Sequence, residues 1–315
     1  MKERTTLSIK LIASHLVLLP VLIFISLFVN RDSFLLLSVT QTLLLIIVLA
    51  GYWEFFGLKF RIIYYCIIQT FILAMIFYKI TLNSTSPYNL LVVTVLASIQ
   101  AYLLFELVKI FIVIYHRDKN SIEIEFPLKD GRFLITDGGN SKISRLMNYH
   151  YYSRQHKRKG TNSSMKFATD IVRIDIPLGS YFPTENSEYP IFNNAVYSPL
   201  SGFIFKVVND IEDNIPYSGN YPYNTGNTIV ITDGDLFLLI GHLKMGSIIK
   251  KEGEKVDKGE MIARAGNSGF TERPHIHMQL ARSYTNDYWS GMGVGITYRY
   301  KNLYKNRIIS VGHIS

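Results

Sequence analysis

Hydrophobic positions divide this 315-residue chain into two regimes. Up to residue 116 they run almost unbroken, in stretches near 11–29, 34–53, 62–82 and 88–115. A bilayer-spanning helix needs about 20 mainly apolar residues, so the pattern predicts about four transmembrane helices. The first stretch follows a basic tail, yet "FVNRDS" after it holds no small-residue cleavage site, which predicts a retained anchor. Glu106 and Lys109 break the last stretch, either at its interfacial end or as a pair across one turn. From about residue 120 the apolar runs are short and punctuated by Gly, Pro, Asn and Asp: "SIEIEFPL", "RFLITDGG", "FATDIVRIDI", "GFIFKVV", "NTIVITDGDLFLLIGHL", "EMIARAG" and "HIHMQLA". β-branched and aromatic residues dominate them, no amphipathic helix stands out, and "TDGD" signals a hairpin. The expected organisation is a helical membrane region over 1–116, then an all-β, sandwich- or barrel-like domain over 120–315.

Charge refines this picture. The net +9 divides into +4 for the apolar third (eight Lys/Arg against four acids) and +5 for the rest (25 against 20). Such an excess fits an anionic surface, a membrane or a cell-wall polymer. It is too diffuse for nucleic acid, and no aromatic-plus-basic signature accompanies it. "RQHKRKG" (154–160) reads as a solvated loop or, more sharply, as a grip on anionic polymer or lipid head groups. With four crossings, Lys2, Arg4, Lys10, Lys59, Arg61, Arg117 and Lys119 share the side of the β domain, against Arg31 and Lys79 opposite. The positive-inside rule then puts that domain in the cytoplasm. Cys66, the single cysteine, lies in an apolar run, so neither an intrachain disulfide nor a Cys-based metal site is expected.

The candidate chemistry is carried by histidines. In "PHIHMQL" (274–280), His275 and His277 stand two positions apart on a strand, so both rings leave one face about 6–7 Å apart. His242 ends the strand in "LLIGHL", Asp170 lies in "KFATDIV" and His150 in "MNYHYY", four histidines and a carboxylate expected at strand ends. Histidine and aspartate are ligands of a catalytic zinc, which takes three protein groups and leaves a position for water. The spacing lets one ring ligate while its neighbour does proton chemistry; the bland alternative is a pair of solvated strand histidines. No HExxH is present, so a helix-borne glutamate metalloprotease is not the template.

The order of the motifs resembles that of the lysostaphin-type (LytM-like) zinc metallopeptidases. The matching stretches are "KFATDIV", "AVYSPLSGFIFKVVND", "GNTIVITDGDLFLLIGHLKMGSIIKKEGEKVDKGEMIARAGNSG" and "RPHIHMQL", over about residues 130–300. The resemblance implies an antiparallel, sandwich-like domain of the duplicated hybrid motif type and one zinc per chain. It implies Asp170 and His277 as ligands, His242 and His275 as the catalytic pair, and peptidoglycan peptide as substrate. The first ligand is His150, in a branch where Asn148 and His150 stand well ahead of the Asp segment; His156 is the alternative. The tyrosine that the family often places two residues before the "His-Leu" histidine is Ile240 here.

Two other readings share the fold: a non-catalytic binding or regulatory module, and a histidine phosphocarrier, which leaves Asp170 and His150 unexplained. The "KKEGEKVDKGEMIARAG" hairpin also resembles carrier domains, but Lys258 lacks their Met-Lys context and reads as a turn residue. Tyr151, Tyr152, Tyr217, Tyr221 and Tyr223 line a groove or simply pack. Wall chemistry requires the domain outside, against the charge bias. The expected partners are peptidoglycan peptide, the bilayer and possible regulatory proteins.

Overall fold

The computed structural model describes residues 17–28, 33–55, 57–82, 90–115, 119–140, 143–152, 163–176, 183–219, 225–285 and 287–312. The chain divides into two compact units, residues 1–112 and 113–315.

The apolar runs form the helices Leu18–Phe28, Ser33–Ala50, Gly57–Leu82 and Leu90–Tyr115. Phe60–Thr81 and Leu90–Tyr115 are long and apolar enough to cross a membrane, whereas Leu18–Phe28 and Phe34–Ala50 are shorter. Large apolar side chains such as Phe71, Phe77, Tyr102 and Phe105 are exposed along the long pair, a surface unsuited to water. Leu19, Leu37, Leu44, Trp53, Ile68 and Ile72 pack as a common core inside the first unit. Glu106 and Lys109 pair across one turn at 2.8 Å. Of the charges used to orient the helices, Lys2, Arg4, Lys10, Arg31 and Arg117 lie outside the described residues.

The second unit is built from β1 (Ile122–Glu123), β2 (Gly131–Asp137), β3 (Thr169–Arg173), β4 (Ala195–Tyr197), β5 (Gly202–Val208), β6 (Asn227–Asp233), β7 (Leu236–Leu243), β8 (Lys255–Val256), β9 (Met261–Arg264), β10 (Ile276–Arg282), β11 (Met292–Val294), β12 (Ile296–Tyr298), β13 (Lys301–Asn302) and β14 (Ile308–Val311). Nine of these make one antiparallel sheet in the order β14-β2-β3-β10-β7-β6-β5-β8, with β11 also beside β10. Smaller sheets join β4 to β9 and β1 to β12 and β13. The "TDGD" hairpin joins β6 to β7 through Gly234 and Asp235, and Gly234 takes the positive φ of 62° that such a two-residue turn needs.

One pairing departs from the antiparallel expectation: β1 runs parallel to β12. "SIEIEFPL" stops being a strand after Glu123 because its backbone groups are shared among neighbours. Ile124 N–H donates to Thr297, Glu125 N–H to Pro199, and Pro127, which has no N–H, accepts from Tyr197.

Alternate residues of the central strands enter the core: Ile276, Met278 and Leu280 of β10, Leu238 and Ile240 of β7, and Ile229 and Ile231 of β6. The opposite face of β10 is thereby left for His277 and Gln279.

Candidate metal centre and catalytic pair

β10 lies between β3 and β7, and its register sets His277 beside Asp170 on one edge and Gly241 on the other. Cross-strand partners share a face, and His277 Nδ1 comes within 2.9 Å of Asp170 Oδ1. His275, just before the strand, has Nε2 3.6 Å from the same oxygen. His242 follows Gly241 with φ of +57°, a left-handed conformation rarely adopted by residues with a Cβ and one that gathers at functional sites. Its N–H donates to Thr225 O at 2.7 Å, and its carbonyl accepts from Gly266 N–H at 3.0 Å. So held, its ring centroid is 4.7 Å from that of His275 and 5.7 Å from that of His277.

His150 arrives differently. It lies on a single helical turn, Tyr149–Tyr152, rather than at the expected strand end. Caps explain the turn: Asp137 Oδ1 accepts from Tyr149 N–H at 2.9 Å, Asp137 Oδ2 from His150 N–H at 3.2 Å, and Asn148 Oδ1 from Tyr151 N–H at 2.9 Å. These groups satisfy N–H donors that a helix start leaves unpaired. Asn148 also donates to Gly139 O and Lys166 O, at 2.8 and 3.0 Å, pinning the turn to the domain. His150 Nε2 thereby lies 3.4 Å from Asp170 Oδ2, with its ring centroid 5.0 Å from that of His277. His156 lies outside the described residues.

Backbone carbonyls only accept hydrogen bonds, so they fix two tautomers. His242 Nδ1–H donates to Ser268 O at 2.7 Å and His275 Nδ1–H to Arg273 O at 2.9 Å, leaving the lone pair of each neutral ring on Nε2. His277 differs. Its Nε2 faces Gln279 Oε1 at 3.1 Å and its Nδ1 faces Asp170 Oδ1 at 2.9 Å, while Gln279 Nε2–H donates to Ser164 Oγ at 2.8 Å.

Burial and charge set the protonation states. Burial alone would lower the pKa of His150, but Asp170 and Asp137 outweigh it and raise it to about 9. Burial opposes ionisation of Asp170 too, yet His150, His275 and His277 hold its carboxyl far below the usual range. His242 is held well below 6.5, first by burial and then by the neighbouring imidazoles. His275 is lowered mainly by burial, with Asp170 opposing.

His150, Asp170 and His277 each offer a donor atom, all within 4.8 Å of one another. Bonds of about 2.0–2.1 Å put the donors of a tetrahedral zinc about 3.3 Å apart. His277 Nδ1 is 2.9 Å from Asp170 Oδ1 and His150 Nε2 is 3.4 Å from Oδ2 of the same carboxylate, separations close to that spacing. Each ring also turns its other nitrogen to a separate oxygen, the usual support of a ligating histidine. The donor set fits zinc.

The sequence did not point to Asp137, Gln279 or Ser164. Gln279 had a signal: it continues the 275, 277 alternation onto the same face. Of the proposed groove tyrosines, Tyr217 is buried with its hydroxyl 3.3 Å from that of Tyr189, and Tyr151 packs against Phe167. Tyr221 and Tyr223 lie outside the described residues. Ile240 is wholly buried.

Residues 191–288, in the second unit, match the model of Peptidase family M23. The matched stretch holds His242, His275 and His277; His150 and Asp170 precede it. The chain is 38% identical over 61 residues to the peptidoglycan DD-endopeptidase ShyA of Vibrio cholerae, covering 19% of this chain and 14% of that one. It is 41% identical over 61 residues to Endolysin 2638A of Staphylococcus phage 2638A, covering 18% and 13%. The matched region thus spans about a seventh of each curated relative. Similar solved structures include the M23 catalytic domain of EnpA from Enterococcus faecalis (18% identity, 40% of this chain, 72% of that one, TM-score 0.28). Others are a zinc-containing peptidase from Vibrio cholerae (21%, 49% and 35%, 0.30) and lysostaphin (22%, 38% and 38%, 0.24).

Proposed function

We propose that this chain is a membrane-anchored zinc endopeptidase that hydrolyses peptide bonds of cell-wall peptidoglycan. The observation that carries the reading is the convergence of donors from His150, Asp170 and His277, with the His242 and His275 rings beside them. In this reading His150, Asp170 and His277 hold the metal. Zinc there would act as a Lewis acid and lower the pKa of water at its open position toward about 7.

The remaining work belongs to the catalytic pair. His242 and His275 commit Nδ1–H to backbone carbonyls, so each ring keeps a fixed orientation. Their lowered pKa values keep both neutral near pH 7. Nε2 of one ring takes the proton of the attacking water, faces the tetrahedral oxyanion as the resulting imidazolium and passes that proton to the leaving amine, while the lone pair on Nε2 of the other ring accepts from the water and orients it. A peptide substrate is supported by the M23 match, and peptidoglycan by the relatives named above.

The anchor is residues 1–116, ahead of a peptidase domain over 120–315. The four apolar runs cross the bilayer, and the peptidase domain faces the wall. A reporter fused after residue 315 tests this: activity only on the cytoplasmic side rules out the wall substrate. Function is tested on purified full-length protein with peptidoglycan as substrate. His275→Ala should keep zinc yet lose hydrolysis by about 10²–10⁴-fold, the range of general acid–base catalysis. Full hydrolysis by that variant would refute the division of roles.

A further inference from the structure

We propose that Asp137 is a positioning residue for the metal centre, holding the His150 imidazole with Nε2 toward Asp170 and His277 and strengthening that nitrogen as a donor. The inference rests on the metal-site reading above. Its basis is where the carboxylate sits and what surrounds it.

Asp137 is the last residue of β2, at a β-bulge. Ile135 pairs with Ile171, and the next pair is Asp137 with Asp170, so Thr136 is the extra residue. A regular ladder would have put Thr136 opposite Asp170. The bulge puts a second carboxylate there instead, on the face that holds the site. The His150 ring lies between the two acids, with Nδ1 2.8 Å from Asp137 Oδ2 and Nε2 3.4 Å from Asp170 Oδ2. The first contact is close enough for the carboxylate charge to act directly on the ring nitrogen.

Asp137 is buried, at 8% exposure. Among the described residues its ion-pair partner is His150, and it meets no lysine or arginine. A buried carboxylate whose charge is balanced only by an imidazole is an expensive way to cap one helical turn, since a neutral Asn or Ser caps as well. The charge has a use if the ring must be a ligand. A carboxylate behind a metal-bound histidine fixes its tautomer and raises its basicity. The other ligand ring, His277, has only the neutral amide of Gln279 behind it, so the two imidazoles are held with unequal strength.

The test uses the full-length chain in detergent, with zinc affinity measured by chelator competition and the absorption spectrum of the cobalt-substituted protein. Asp137→Asn keeps an oxygen to cap Tyr149 N–H and removes the charge. At pH 9.5, where most His150 rings carry no competing proton, it should weaken zinc binding by about 10- to 100-fold and alter the cobalt spectrum, with the metal-free protein still folded. Asp137→Glu, which keeps the charge on a longer arm, should recover part of the affinity. Asp137→Ala should lose affinity together with metal-free stability. If only Asp137→Ala is weakened and Asp137→Asn binds like wild type, Asp137 is a cap alone and the inference is overturned. A wild-type chain that takes up no zinc removes the metal-site reading itself.

Discussion

Raising pH should tighten zinc binding over a defined window, and the cause is His150. Its pKa is raised to about 9 in the metal-free protein. Zinc takes the neutral imidazole, so the proton on His150 competes with the metal. At pH 7.5 a group with a pKa of 9 is about 97% protonated, which lowers the apparent zinc affinity about 30-fold, or ~2 kcal/mol. The sign follows directly. Affinity should rise about tenfold per pH unit up to pH 9 and gain nothing further from His150 above it. Chelator competition from pH 6.5 to 9.5 measures the slope, and calorimetry in two buffers of different ionisation enthalpy counts about one proton released near pH 7.5. Asp137→Asn should move the break to lower pH, because one of the two carboxylates that raise His150 loses its charge. Affinity flat between pH 7 and 9 would refute the assignment of His150 as a ligand.

Other consequences are separate. The pKa values of His242 and His275 lie below 6.5, so hydrolysis, measured with zinc saturating, should hold its rate down to pH 6.5 and fall only below it; a fall centred above pH 7 would contradict neutral catalytic imidazoles. Gly226→Ala should lower stability by about 2 kcal/mol or more. It has φ of +58°, and a Cβ there would come within 2.3 Å of the Ser268 backbone. Ser268 O holds the His242 ring, so this variant should also lose hydrolysis while retaining zinc; wild-type turnover would argue against that hydrogen bond. Leu238→Ala, at a wholly buried core position, should cost about 2–5 kcal/mol in urea unfolding without loss of zinc from the folded fraction.

How much of this was legible in the sequence differs by element. "GFIFKVV" is the strand Gly202–Val208, and the long run after "GN" splits at Gly234 and Asp235 as its turn residues require. Those signals are local. His275 and His277 could be placed on one face from alternation alone. Asp170 could not be set beside His277 without knowing that β3 lies against β10, which is a matter of sheet order. His150 carried no strand signal of its own; its turn exists because Asn148 caps it locally and Asp137 caps it across 12 or 13 residues of chain, and the second of these leaves no periodic trace. Asp137 lay at the end of "RFLITDGG" with nothing in the sequence to single it out. In the first unit, apolar length was enough to predict helices. Sidedness depends on charges such as Arg31 and Arg117 that lie outside the described residues.

Metal content of the purified full-length protein tests the central claim most directly, with wild type and His277→Ala each equilibrated with excess zinc and then desalted. The account predicts one zinc per wild-type chain and almost none in the variant, with the β-sheet circular dichroism of the two alike. A wild-type chain that keeps no zinc, or a folded His277→Ala chain that keeps a full equivalent, would contradict it.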